Sequence, residues 1–140
     1  VARFDLLRPI VALATKVTKW TKLCDRQLHR LMCYVNSTLD LYMHGWIGYD
    51  PEGLGLVLYC DADLAGDRAD CKSTSGVFMC IMGHRSFMPI AAVSKKQTPV
   101  AKSTPESEIV AIDRVLSGDA LPVVHMFEML LGKKIRIKRA

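Results

Sequence analysis

A chain of 140 residues, half hydrophobic and about a quarter charged, can bury one real core, which excludes a disordered segment. Its net charge of +5 lends only weak support to a polyanionic partner, because Lys133, Lys134, Arg136, Lys138 and Arg139 supply the whole excess. The five cysteines contain no CxxC pair, so neither zinc ligation nor a disulfide framework is expected, and no stretch is apolar for the length a membrane span needs.

The first residues, VARFDLLRP, lack both an initiator Met and the pattern of a secretory signal, so the chain is read as a piece of a longer polypeptide. From Pro9 to Trp20, Ile10, Leu13, Ala14 and Val17 recur at helical spacing with Pro in the first turn. A second helix is expected from Asp25 to Asn36, capped by Asp25, with a stripe of Leu28, Leu31, Met32 and Val35 that Cys24 and Cys33 flank or join. His29 and His44 read as surface or packed histidines with no second metal ligand at a useful spacing. Residues 39–46 read as a strand, followed by the turn GYDPEG.

At Leu54 the pattern changes. Residues 54–63, 73–83 and 85–94 alternate or run apolar between turn signals and are expected to form an antiparallel meander, with Pro89 marking a bulge or an edge. Residues 95–105 read as a loop leading into a helix that Ser103 or Thr104 caps and Pro105 begins. Glu106 and Glu108 fall where the helix dipole favours negative charge. Glu108 also heads the row Ile112, Val115 and Leu116, so it is either a site carboxylate or a half-exposed edge residue. Val57 or Leu58, Phe78, Ile112 and Val115 are expected to be buried together. A further helix spans 121–131 with Gly132 as its stop, and residues 133–140 alternate like a strand that has just begun.

The stretch DADLAGD (61–67) is where chemistry is expected. Asp61 should end the first strand, and Asp63, two residues on, shares its face. Together with Glu108 they form an oxygen-only set that suits Mg²⁺ or Mn²⁺ better than zinc. The bland alternative is a solvated turn with capping acids.

Four motifs in order, YCDADLAGD (59–67), KSTSGVF (72–78), SKKQTPV (94–100) and STPESEIVAI (103–112), resemble the ribonuclease H domain of copia-type retrotransposon Pol polyproteins. LLRPIVALATKVTKW (6–20) with LHRLMCYV (28–35) is similar to the connection that joins reverse transcriptase to that domain. The resemblance implies an α/β (α+β) ribonuclease H-like mixed sheet with flanking helices, cut at the fourth strand, over residues 51–140, preceded by a two-helix connection segment over 1–50. It implies an Mg²⁺-dependent (or Mn²⁺-dependent) endonuclease that hydrolyses the RNA strand of RNA–DNA hybrids by metal-activated water. Asp61 and Glu108 would be catalytic, Asp61, Glu108 and Asp63 would bind metal, and Lys95, Lys96, Ser103 and Thr104 would contact substrate. The implied partners are the hybrid and the reverse transcriptase part of the same polyprotein, inside the cell and without a membrane. Leu64 and Ala92 stand where the family usually has Trp, and Pro105 interrupts the family's S-S-T-E. The family's third acid lies in a D-N motif beyond the fourth strand, so this chain is expected to hold half of the centre. The competing reading is a non-catalytic, element-derived module that binds nucleic acid or protein.

Overall fold

A computed structural model of the protein describes residues 3–48, 53–67, 70–132 and 134–139. The chain divides into two compact units, Val1–Met43 and His44–Ala140.

The first unit is a helical pair, α1 (Leu7–Ala14) and α2 (Lys22–Ser37), with a short 3₁₀ turn, Val17–Lys19, between them. Helix α1 ends earlier than the sequence period suggests, and α2 starts three residues before Asp25. Asp25 is therefore no cap; it accepts a 2.7 Å hydrogen bond from the Trp20 indole N–H, and Thr21 holds the boundary without a side-chain cap bond. Leu13 and Cys24 are buried, whereas Cys33 is exposed. Arg3 ties the unit's start to the end of α2, donating to Asp5 at 2.8 Å and to the Thr38 carbonyl at 2.9 Å, while the Tyr34 hydroxyl donates to Asp5 at 3.0 Å.

The second unit is a four-stranded mixed sheet with helices on one face. Strands β1 (Gly55–Asp67), β2 (Lys72–Gly83) and β3 (Ser86–Lys96) form the expected antiparallel meander, and β4 (Arg136–Arg139) lies parallel to β1, giving the order β3-β2-β1-β4. Between β3 and β4 run α3 (Thr104–Val115), a five-residue π turn (Leu116–Ala120) and α4 (Leu121–Leu131). Gly132, at φ 63°, stops α4 in the left-handed conformation that glycine adopts without steric cost. The architecture is mixed α/β and consistent with a ribonuclease H-like fold. No helix of the described residues is long and apolar enough to cross a membrane.

Two expectations fail locally. Residues 39–46 form no strand; the segment touches the sheet through a single bridge, Trp46 to Phe87, where the rings lie 5.1 Å apart. The turn GYDPEG falls largely outside the described residues. Strand β3 runs on through Lys95 and Lys96, opposite Ser75 and Thr74, so the loop begins only after Lys96, and its bulge sits at the Met79/Cys80 step, facing Pro89 as a residue without an N–H requires.

The core is also arranged differently from the pattern of apolar spacing. Leu56, Leu58, Val77, Met79, Val115 and Ala120 are its buried centre. Phe78 lies on the opposite face of the sheet, with Tyr59 at 6.0 Å and Phe87 at 6.4 Å between ring centroids. Val57 shares that second face, because strand neighbours alternate sides. On α3 the fully buried row is Ser107, Ala111 and Val115, leaving Ile112 half-buried. The helix is turned by one residue from the sequence expectation because close approach to the sheet selects small side chains, not merely apolar ones.

Leu56→Ala, at a position 1% exposed in the core centre, should lower unfolding free energy by about 2–5 kcal/mol. Ile112→Ala should cost less in the same denaturant titration, and equal losses would put the buried row elsewhere on α3. In the first unit, the Arg3 guanidinium and then the Tyr34 hydroxyl hold the Asp5 carboxyl down to about 2 from its ordinary 3.8. A depressed acid stabilises the fold above its unfolded value and loses that contribution as pH falls from 3.8 through about 2. An NMR titration should show that midpoint, and Tyr34→Phe should move it upward.

Candidate functional site

Asp61 does not end β1. The strand continues to Asp67, with an irregularity between Asp63 and Asp67. That break is visible at Ala65, a non-glycine residue at φ 51°, whose N–H is held by the buried Ser73 hydroxyl at 3.2 Å. At Gly66 a Cβ would meet the Asp63 carboxylate, which would have to swing aside. The local sequence thus builds a bulged strand end over which one aspartate folds back.

Asp61 and Asp63 flank Ala62, which is buried on the helix side with Leu56 and Leu58. Alternation directs both carboxylates to the other face, together with Tyr59, and both residues are exposed. One Asp61 carboxylate oxygen accepts from the Ala62 N–H at 2.9 Å. Their partners on β2 are Gly76 and Thr74, so Asp61 faces an open position across the ladder.

Helix α3 begins as the sequence suggests. Ser103 accepts from the Glu106 N–H at 3.4 Å, Pro105 occupies the first turn, and Glu106 reaches back to the Lys102 N–H at 2.7 Å. Ser103 and Thr104 are exposed, and the Thr104 carbonyl accepts from the Ser107 hydroxyl at 2.8 Å. Glu108 is half-buried and borders the Ser107–Ala111–Val115 row rather than heading it. Lys95 is exposed on β3, while Lys96 forms a 2.7 Å ion pair with Asp70.

A residue that composition alone left unremarked holds these pieces in register. Gln97, 5% exposed, donates its side-chain amide to the Ser75 hydroxyl at 2.9 Å and to the Ser107 carbonyl at 2.8 Å, and its backbone N–H to the Ser73 carbonyl at 2.8 Å. A carbonyl can only accept, so this contact identifies the amide nitrogen. Ser75 is paired with Ala62, the residue between the two aspartates. Gln97 therefore links the first turns of α3, next to Glu108, to Ser75 of β2, the ladder partner of Ala62, while Asp61 and Asp63 point to the other face. The signal was present in the sequence as a Gln between the lysines of SKKQ and a turn.

Comparison with known proteins points to one class of relative. The chain is 40% identical over 81 residues to the retrovirus-related Pol polyprotein from transposon RE2 of Arabidopsis thaliana, and 38% identical over 81 residues to that from transposon RE1. The chain is similar to a segment of retrotransposon Pol polyproteins. Each match covers 58% of this chain and 5% of the relative. No protein-family model and no solved structure matches.

The donor chemistry of Asp61, Asp63 and Glu108 suits a hard divalent cation, but the number does not. Among the described residues no three His, Cys, Asp or Glu side chains are grouped as ligands of one ion. The sequence period also missed a contact in the helical unit, where the His29 imidazole Nε2 lies 3.5 Å from the Cys33 sulfur, one turn further along α2.

Gln97→Leu should leave the Ser75 hydroxyl buried without its partner and remove the second bond to the Ser107 carbonyl, destabilising the second unit by about 1–3 kcal/mol, read as a lower denaturation midpoint. A midpoint equal to that of a surface substitution would mean that the clamp carries no weight.

Proposed function

We propose that the His44–Ala140 unit is the ribonuclease H-type nuclease portion of a retrotransposon Pol polyprotein, acting inside the cell on the RNA strand of RNA–DNA hybrids beside a reverse transcriptase part. The observation that supports this reading is the similarity to Pol polyproteins, joined to a mixed sheet on which α3 is seated through the Gln97 bridge and whose first strand exposes Asp61 and Asp63. In this reading Asp61 and Glu108 are the acids of the site. Lys95 and Ser103, with Lys96 and Thr104, are the polar residues offered to a phosphate backbone. Magnesium is the ion that oxygen-only donors and substrate phosphates take together. Since the described ligands do not complete a site for it, no step of hydrolysis is assigned to these residues alone.

One observation favours a second reading. The Asp61 and Asp63 residues, exposed on the sheet face away from α3, also fit an element-derived module that binds nucleic acid without cutting it.

A gel assay with a labelled RNA–DNA hybrid in millimolar Mg²⁺ or Mn²⁺ separates the two. The 140-residue chain should cleave at background rate. A longer chain that includes the polyprotein sequence following residue 140 should cleave with metal, and Asp61→Asn or Glu108→Gln should abolish that cleavage. Cleavage that survives both substitutions would move the site elsewhere. Hybrid binding without cleavage in every chain would support the module.

A further inference from the structure

Helix α2 packs one side and leaves the other bare. Leu31 lines a groove with Pro9 and Leu13 of α1, and Cys24 is buried. At 3.6 residues per turn, His29 and Cys33 fall on the side away from Leu31, and both are exposed. Beside them run Leu28 and Met32, which are 39% and 56% exposed, so an apolar strip borders the pair. The His29 Nε2 and Cys33 Sγ atoms are 3.5 Å apart. Zinc bonds of about 2.05 Å to imidazole nitrogen and about 2.3 Å to thiolate, set at the tetrahedral angle, separate the two donors by about 3.6 Å. The observed separation matches one edge of such a tetrahedron.

A structural zinc site takes four such donors, and among the described residues no third ligand is grouped with these two. An isologous contact supplies the missing pair, because a two-fold axis brings the same patch from each copy to one point. We propose that His29 and Cys33 form a zinc half-site completed by the same two residues of a second copy, with Leu28 and Met32 packed across the contact. Binding displaces the thiol proton from each Cys33 to solvent and leaves the imidazoles neutral, with no change of oxidation state. Neither member of the pair belongs to the acid-bearing strand or helix of the proposed nuclease, so the inference stands apart from that reading.

The test uses the whole 140-residue chain, kept in a phosphine reductant so that no disulfide can form. Sedimentation with and without zinc chloride should show a dimer only with zinc, holding one ion per two chains. Cobalt in place of zinc should give a thiolate-to-metal charge-transfer band. His29→Ala and Cys33→Ser should each abolish the dimer and the band while circular dichroism stays unchanged, as both side chains are exposed. Cys71→Ser, which removes another exposed thiol, should leave both intact. A chain that stays monomeric with zinc, that binds one zinc per chain, or whose zinc-dependent dimer persists in both ligand variants would overturn the proposal.

Discussion

One buried amide fixes how the second unit is put together. Gln97 leaves β3 at the point where the chain turns toward α3, and its three donor contacts reach β2 twice and the helix once. The contact to Ser75 pairs a buried hydroxyl, and burial without a partner costs more than the hydrogen bond gains in isolation. The amide oxygen has no partner among the described residues, which makes the donors the reason for Gln at this position. Because Ser107 lies at 0% exposure directly on the sheet, the helix can approach only with a small residue there, and the Gln97 contact to its carbonyl sets its position along the strand.

That constraint separates two faces with different work. The helix side is a conventional apolar core, in which Leu56, Leu58, Val77 and Met79 of the sheet meet Val115 and Ala120. The other side carries a row of rings, Trp46, Phe87, Phe78 and Tyr59, and leads along β1 to the exposed Asp61 and Asp63. Packing on one face therefore places carboxylates on the other, since a strand cannot bury Ala62 under α3 without turning its neighbours outward. The bulge near Ala65 then redirects the strand end and lets the Asp63 carboxylate lie over Gly66.

The helical unit is held by different forces. Its apolar burial is small, with Leu13 and Cys24 the buried apolar residues among those described, and polar ties carry the closure. Arg3, Asp5, Tyr34 and Thr38 bind the first turn to the end of α2, and the Arg3 guanidinium favours the charged form of Asp5, which lowers its pKa. Short helices with narrow apolar stripes rely on such contacts, because helical propensity alone is marginal at these lengths.

By itself the sequence determined the element types in the second unit, the antiparallel order of the meander, the Ser103 cap, the Gly132 stop and the acid-bearing segment. Those follow from local rules: alternation, capping chemistry and glycine's access to positive φ. It misplaced what local rules do not contain. The rotation of α3 depended on how closely the helix could approach β1 and β2, which put Ser107 rather than Glu108 in the buried row. The continuation of β1 through DADLAGD depended on ladder partners from Ser75 to Lys72, which outweighed the turn signals of Asp and Gly. Residues 39–46 had strand composition but found only one bridge, because a strand exists through its neighbours and not through its own side chains. The candidate acids could be named from sequence because residue type is local. Which face each one occupies was decided only by packing, which is a property of the whole fold.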